Sequence, residues 1–140
     1  MAHHNVEPIN LHDRASSVTG HWQPQHIHNI NDTHSMKLAT IQGEFFWHSH
    51  PNTDELFYCV SGGPFSIEIN RTARTPREAE QLGCDHVAQL RVGDVFCVAR
   101  GVQHRPVAPL ETGIMMIEKI GTVNIGDREG DERTVYVEEK

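Results

Sequence analysis

Residues 48–55 read His-Ser-His-Pro-Asn-Thr-Asp-Glu, and this stretch decides the interpretation of the chain. Residues i and i+2 of a β-strand point to the same face, about 7 Å apart along the backbone, so His48 and His50 can converge on one ion. Residues 51–54 have the composition of a turn. If Glu55 opens the return strand of a hairpin, a strand spacing of about 4.8 Å brings its carboxylate beside both imidazoles.

A third histidine, His104, follows the turn at Arg100-Gly101 and is the fourth candidate ligand. Three neutral histidines and one carboxylate leave a divalent ion with a net positive charge and leave positions open on an octahedral ion. This donor set suits Fe, Mn, Ni, Co or Cu, and Zn also fits. A lone His-x-His pair is more often structural than a metal site, but a carboxylate and another histidine in register favour metal binding.

The same residues lie in a pattern that resembles the first motif of the cupin superfamily, Gly-x5-His-x-His-x3,4-Glu-x6-Gly. Its positions are filled here by Gly43, His48, His50, Glu55 and Gly62. The one departure is the spacing between Gly43 and His48, where four residues stand instead of five. All the metal-ligand positions of this motif are therefore filled.

The second cupin motif, Gly-x5-Pro-x-Gly-x2-His-x3-Asn, is similar to the stretch that runs from Gly93 to Ala108. Both glycines, Gly93 and Gly101, and the histidine, His104, are kept. Ala99 replaces the proline and Ala108 replaces the asparagine. Neither position is a ligand in the family, so these losses affect the rigidity of the turn more than metal binding.

The resemblance covers residues 36–120 and is closest to small single-domain cupins of undefined function. It implies a single jelly-roll β-barrel, one divalent metal ion with Fe, Mn or Ni favoured and Zn as an alternative, and a homodimer. It also implies an enzyme acting on a small oxygenated organic molecule, with Fe- or Mn-dependent dioxygenation slightly favoured. A metal-dependent decarboxylase, lyase or isomerase is an alternative, and so is a non-catalytic cupin that binds a metal or a small molecule.

The pattern of the chain independently predicts an all-β domain. Short segments rich in branched and aromatic residues alternate with turns that contain Gly, Pro, Asn or Asp, as in a barrel or jelly roll. These predicted strands are residues 36–42, 44–50, 55–60, 65–70, 86–91, 95–99, 104–108 and 113–120, with 134–138 as a closing strand. The unbroken apolar run at 113–117 predicts a strand covered on both faces, by the barrel on one side and by a partner subunit on the other.

One short helix is predicted at residues 75–82, inserted between strands. Thr75 is suited to the N-cap, Pro76 to the first helical position, Glu78 to the third and Gly83 to the C-terminal end. Residues 1–35 hold seven of the chain's 11 histidines without a clear period. They predict an N-terminal arm packed on or swapped around a barrel of residues 36–140, in one domain overall.

Composition excludes several classes of function. The chain has 12 Lys and Arg against 19 Asp and Glu, a formal net charge of −7, which argues against nucleic-acid binding. The longest apolar run, residues 95–99, is far too short for a membrane span, and the first residues show no secretory signal pattern. Three cysteines cannot all pair, which favours a reducing compartment and predicts a cytoplasmic protein.

Other residues near the predicted ligands are assigned by strand parity. Phe57 and Cys59 share the face of Glu55, and Phe46 shares the face of His48, so these three are predicted to line an apolar pocket around the ion. Cys59 is not expected to act as a nucleophile. Arg105 is expected at the surface. As charged residues within strands, Glu68 and Glu118 are expected to face solvent and to take no part in catalysis.

Overall fold

A computed structural model describes residues 7–127 of the chain. Within them lie two short helices and seven strands, and all the pairings between strands are antiparallel. In chain order the elements are α1 (Leu11–Ser16), β1 (Gln25–Ile30), β2 (His34–Glu44), β3 (Glu55–Gly62), β4 (Phe65–Asn70), α2 (Pro76–Leu82), β5 (His86–Leu90), β6 (Val95–Val98) and β7 (Gln103–Lys119). The predicted mainly-β fold with a short inserted helix is confirmed.

The long strand β7 connects the two parts of the sheet. Its residues 103–107 pair with β4, and its residues 112–119 pair with β2. β3 lies on the other side of β7 and pairs with residues 112–117. β1 extends the sheet beyond β2, β6 extends it beyond β3, and β5 extends it beyond β4.

The core is built from side chains that alternate along the strands. In β3, Glu55, Phe57 and Cys59 are buried, whereas Leu56 and Tyr58 point to the opposite face and are half-buried. This alternation is the one expected when one face of a strand packs inside a barrel. The barrel core consists of Ala39, Ile41, Phe57, Cys59, Phe65, Ile67, Ile69, Leu90, Val98, Ala108, Ile114 and Met116.

Two predicted breaks between strands are wrong, and the predicted strand 44–50 is wrong as well, because beyond Glu44 it is reduced to an isolated bridge at His48. Gly43, expected to end a strand, lies inside β2 at an irregularity of the register between Ile41 and Gly43, where its φ of 89° permits the distortion. The predicted strands 104–108 and 113–120 are one strand, β7, because pairing to its neighbours is maintained on both sides of the gap. Residues 134–138, predicted as a closing strand, lie outside the described residues.

Helix α2 agrees with its predicted caps. The Thr75 side chain accepts a hydrogen bond from the Glu78 amide at 3.1 Å, and Pro76 occupies the first turn. Gly83, with a φ of 76°, ends the helix by donating its amide to the carbonyl of Ala79 at 2.8 Å. These contacts are local, so the short helix could be predicted from its ends alone.

The N-terminal segment is more ordered than its composition indicates. Within residues 7–35, β1 pairs with β2 at the edge of the sheet, and α1 begins after Asn10, whose side chain accepts a hydrogen bond from the Asp13 amide at 2.9 Å. Ala15 of α1 packs with Met115 of β7 and its neighbours in a second apolar cluster. The outer face of residues 113–117, predicted to be covered by a partner subunit, is therefore covered at Met115 by a helix of the same chain.

Neither of the helices in residues 7–127 has the length and apolar composition needed to cross a membrane.

Candidate metal centre

Backbone hydrogen bonds join the two motif segments. The His48 amide donates to the His104 carbonyl at 3.0 Å, and the His104 amide donates back to the His48 carbonyl at 2.8 Å. The Gly101 amide donates to the carbonyl of His50 at 3.0 Å. This isolated antiparallel bridge places His48 and His104, which are far apart in sequence, side by side.

The four predicted ligands form one buried cluster, His48, His50, Glu55 and His104. Each offers one nitrogen or oxygen atom, and these atoms all lie within 4.8 Å of one another. Glu55 Oε1 is 3.1 Å from His104 Nε2 and 3.2 Å from His50 Nε2. The four residues are between 1% and 5% exposed, so bulk water does not compete for their lone pairs. The cluster could hold a metal ion.

The tautomers of two histidines fit this role. His48 Nδ1 lies 2.9 Å from the carbonyl oxygen of Phe46, and His104 Nδ1 lies 2.9 Å from that of Val102. A carbonyl oxygen can only accept, so both Nδ1 atoms are protonated donors, and in the neutral imidazole Nε2 carries the lone pair. Histidines that bind a metal are commonly fixed through the other ring nitrogen in this way.

The contacts inside the cluster also fit a cation. With Nδ1 protonated, a neutral His104 presents a lone pair to an ionised Glu55, and two acceptors at 3.1 Å repel each other unless a proton or a metal ion lies between them. Among the described residues, His50 Nε2 has no hydrogen-bond partner, although it is buried. A metal ion at the centre would satisfy these atoms together.

Electrostatics favour the metal-binding forms of two of the four residues, His48 and Glu55. Burial lowers the pKa of His48 well below its usual value, and positive charge on His104 or His50 lowers it further. Burial alone would raise the pKa of Glu55, but the electrostatic interaction with His50 and the close approach of the His104 and His50 rings outweigh it and hold that pKa well below its ordinary value. The imidazole of His48 is therefore neutral and the carboxylate of Glu55 ionised near neutral pH.

A cavity of about 40 Å³ adjoins the cluster and has room for about three water molecules. His48 and Glu55 form part of its wall, together with apolar side chains that include Phe57 and Met116. Phe45, not the predicted Phe46, lines it, because residues 45–47 do not continue the strand and parity from His48 does not apply to them.

The three cysteines are all free thiols. Cys59, predicted to line the pocket, lies in the barrel core at 0% exposure and is not part of the cavity wall. Burial raises its pKa, which agrees with the expectation that it is not a nucleophile. Cys84 and Cys97 are exposed.

Glu118 is the main difference from the sequence analysis, which placed it at the surface. It is 3% exposed, lines the cavity, and accepts a hydrogen bond on Oε1 from Lys37 Nζ at 3.2 Å. Lys37, 1% exposed, also donates to the carbonyl of Thr122 at 3.2 Å. Burial raises the pKa of Glu118 well above its usual value, and the Glu55 charge adds to this, while Lys37 opposes it. Strand parity with Ile114 and Met116 was the signal that could have found this residue.

Asp127 was also missed. Its Oδ1 accepts a hydrogen bond from the Ser49 amide at 2.6 Å, and its Oδ2 accepts one from Gln103 Nε2 at 2.8 Å. The Asp127 amide donates to the Ser49 carbonyl at 2.9 Å. Ser49 lies between two of the cluster histidines and Gln103 precedes the third. The hydrogen bonds of Asp127 therefore hold in place both chain segments that carry the cluster histidines. No local pattern around residue 127 indicates this role.

Arg105, expected at the surface, points away from the cluster. Its Nε donates to Glu68 Oε1 at 2.8 Å, its Nη1 donates to Glu44 Oε2 at 3.4 Å, and its guanidinium lies 5.5 Å from the ring centre of Trp47. These contacts form a surface ion-pair network on the far side of the strand from His104. We assign them no part in the metal centre.

The fold and this geometry can be compared with known proteins. A cupin-2 domain protein from Shewanella frigidimarina is 33% identical to the chain, covering 79% of this chain and 93% of that protein, with a TM-score of 0.62. The chain is a cupin. An uncharacterized protein of Bacillus subtilis, YdbB, is 29% identical to this cupin over 92 residues, which are 66% of the chain and 68% of that protein. No protein-family model matches the chain.

More distant structures share the fold of this cupin. Hydroquinone 1,2-dioxygenase from Sphingomonas sp. TTNP3 is 12% identical, with a TM-score of 0.63, and the alignment covers 99% of this cupin and 88% of that chain. At this identity the likeness establishes a common fold and nothing about the reaction.

Proposed function

We propose that this cupin is a divalent-metal-dependent enzyme that acts on a small oxygenated organic molecule by dioxygenase-type chemistry. The observation that carries the proposal is the cluster itself: one potential ligand atom each of His48, His50, Glu55 and His104 faces the others in a buried site, and no lysine or arginine of residues 7–127 is paired with them. These four side chains would hold the ion. A bound Fe or Mn ion would supply open positions for a substrate oxygen and for O₂.

The surrounding residues support this use of the cluster. The apolar wall that includes Phe45 and Phe57 excludes bulk water and would hold the carbon skeleton of a small molecule against the cluster. The backbone carbonyls of Phe46 and Val102 keep the histidine rings in one orientation before a ligand arrives. The site is therefore organised by the fold.

The test is the metal content of the full chain, purified without a tag under anaerobic conditions and measured by mass spectrometry. We expect nearly one Fe, Mn or Ni per chain in the wild type, loss of the metal in His48→Ala and His104→Ala, and no loss in His86→Ala. His86 is an exposed histidine in β5 and is the matched control.

The outcomes separate the alternative functions. Zinc as the sole metal would contradict dioxygenase-type chemistry, because zinc has no redox chemistry, and would favour a lyase or an isomerase. Metal retained without turnover of any substrate in an oxygenase, decarboxylase and isomerase screen would favour a non-catalytic binding protein. No metal above the level of His48→Ala, even after reconstitution, would overturn the proposal.

We also propose that the protein is cytoplasmic and forms a homodimer. The exposed thiols of Cys84 and Cys97 suit a reducing compartment. Val95, 59% exposed, pairs in register with the half-buried Tyr58 on the outer face of the sheet, and a second copy could cover this apolar position. Light scattering after size-exclusion chromatography should give twice the chain mass of 15.8 kDa, and a monomer at micromolar concentration would contradict the dimer.

A further inference from the structure

The rim of the cavity beside the cluster is formed by two segments that lie outside the strands. Among the described residues that line this cavity, Trp22, Pro24 and Asn124 are half-buried, whereas the others are buried. Trp22 and Pro24 precede β1, and Asn124 follows β7. These three residues therefore lie between the cavity and the solvent, and Trp22 has the largest side chain of the three.

The indole ring of Trp22 is held in place by contacts with β2 and with Phe45. The Trp22 amide donates to the Thr40 carbonyl at 3.0 Å, and its Nε1 donates to the Gln42 carbonyl at 3.0 Å. The ring stacks on that of Phe45, with the ring centres 4.9 Å apart and the planes inclined by 28°. Trp22 also packs against the barrel core. The ring is therefore a fixed part of the rim.

The backbone at Trp22 indicates that its surroundings impose this position. Its φ of 62° lies in the left-handed region, which is unfavourable for a residue with a bulky side chain. Such a conformation persists only where surrounding contacts hold it, and it is frequent at ligand-binding sites. A glycine would adopt the same φ without a steric cost.

A line of aromatic rings connects the rim to the cluster. Phe45, which stacks on Trp22, meets the His48 ring edge-on, with the ring centres 5.3 Å apart. The cavity that these rings line measures about 40 Å³ and has room for about three water molecules. Because the rest of the wall is buried, a larger molecule bound at the cluster must extend toward the rim, where it meets the indole ring of Trp22.

We propose that Trp22 determines specificity by size: its ring admits compact oxygen ligands to the cluster and excludes those that carry a bulky group. This inference rests on the proposed function, because the cluster must hold a metal ion for such a ligand to bind there. It deepens that function by assigning the substrate class, a small molecule with oxygen donors and without a large substituent beside them.

The experiment uses two probes with the same metal-binding group. Acetohydroxamate and benzohydroxamate each offer two oxygen atoms to a metal ion, and they differ in carrying a methyl or a phenyl group. A divalent ion held by one carboxylate and three neutral imidazoles keeps a net positive charge, which attracts either anion. Dissociation constants are measured by titration calorimetry on the full chain loaded with Mn(II). We expect acetohydroxamate to bind the wild type at least about tenfold more tightly, because the phenyl group meets the Trp22 ring.

Substitutions at Trp22 assign this preference to its ring. Trp22→Gly removes the ring at a position whose φ suits glycine, and the preference should fall below about threefold because benzohydroxamate binds more tightly. Trp22→Leu keeps an apolar contact with the core and decides the matter if Trp22→Gly is unstable; its preference should fall by at least about threefold. Tyr58→Ala is the matched control, because Tyr58 is also half-buried but lies on the outer face of β3, and it should keep the wild-type preference.

Each result decides the proposal. It is overturned if the wild type binds both probes equally, if the Trp22 variants keep the wild-type preference, or if neither probe binds at millimolar concentration. Weaker binding of benzohydroxamate to Trp22→Gly than to the wild type would also overturn it, because the ring would then stack on ligands rather than exclude them.

Mn(II) binding is measured first, by electron paramagnetic resonance, so that the two proposals can be told apart. A wild-type chain that binds no Mn(II) contradicts the proposed function together with this inference. Bound Mn(II) with an unchanged preference in the variants contradicts only the role of Trp22.

Discussion

The barrel of this cupin buries two sets of ionisable side chains, and their charges are balanced differently. Lys37 and Glu118 form an ion pair at 3.2 Å, so the protein supplies both the anion and the cation. In the cluster of His48, His50, Glu55 and His104, neutral imidazoles surround one carboxylate, and the described residues supply no lysine or arginine to it. In the first set the described residues supply both charges, whereas the second set could hold a cation from solution.

Removing Lys37, the cation of the first set, should have the largest effect on the stability of the protein. Lys37→Met leaves Glu118 buried without its partner, and we expect the free energy of unfolding to fall by about 3–5 kcal/mol in urea denaturation of the metal-free protein. The double variant Lys37→Met with Glu118→Leu removes both charges and should lie within about 1 kcal/mol of the wild type. Equal losses in the two variants would mean that packing, rather than charge balance, explains the pair.

Replacing the carboxylate of each set by an amide, in Glu55→Gln and in Glu118→Gln, should change the affinity for Mn(II) by very different amounts. Glu55→Gln removes the negative ligand, and Mn(II) affinity, measured by electron paramagnetic resonance, should fall by at least about 100-fold, more than the loss of an outer-shell partner gives. Glu118→Gln makes the same chemical change outside the ligand set and should alter the affinity by less than about threefold. A similar loss in both variants would show that Glu118 also binds the ion, and the distinction would fail.

Removing the metal should lower the free energy of unfolding of the protein only where the cluster is intact. At a free Mn(II) concentration of 100 times the dissociation constant, binding should add about 2.7 kcal/mol to the free energy of unfolding, and a chelator should remove it. Glu55→Gln at the same Mn(II) concentration should show a much smaller change in melting temperature on chelation. An equal change in this variant would place the stabilising ion elsewhere, for example among the histidines of the N-terminal segment.

Removing the Asp127 carboxylate, which is hydrogen-bonded to the segments that carry the cluster histidines, should have the smallest effect. Asp127→Ala removes the acceptor for the Ser49 amide and for Gln103 Nε2. The two chain segments that carry the cluster histidines then lose these hydrogen bonds, but no metal ligand is lost. Mn(II) affinity should fall by about tenfold, the usual range for outer-shell partners. Asp13→Ala, on exposed helix α1, is the control and should leave the affinity unchanged. An Asp127→Ala variant with wild-type affinity and a lower melting temperature would limit this residue to a structural role.

The sequence was most informative where the determining contacts are local. The spacing of His48, His50 and Glu55 predicted their convergence, although the structure has only an isolated bridge at His48 in place of the expected strand, and the caps of α2 lie within a few residues of one another. Phe46 was misplaced because the segment before His48 is not a regular strand. Its backbone is fixed by bonds to β7, such as that from the Phe45 amide to the Pro106 carbonyl at 3.0 Å, which the sequence does not reveal.

Other features depend on contacts between distant parts of the chain. Lys37 and Glu118 are buried because each neutralises the charge of the other. Considered alone, each of them would be expected to face water, as charged residues usually do. Asp127 acts through Ser49 and Gln103, which lie far from it in sequence. Strand parity could have placed Glu118 inside the barrel, but the partners in these contacts become recognisable only when the register of the strands is known.

Strand β7 carries His104 near one end and Glu118 near the other. A straight strand would separate them by about 46 Å, yet His104 belongs to the cluster and Glu118 lines the cavity beside it. β7 must therefore bend between these two residues. Deleting one residue before Ile114 would turn every later side chain of the strand to the opposite face, bringing Met115 inward in place of Ile114, Ile117 in place of Met116 and Lys119 in place of Glu118. This strand should therefore not tolerate a change in length.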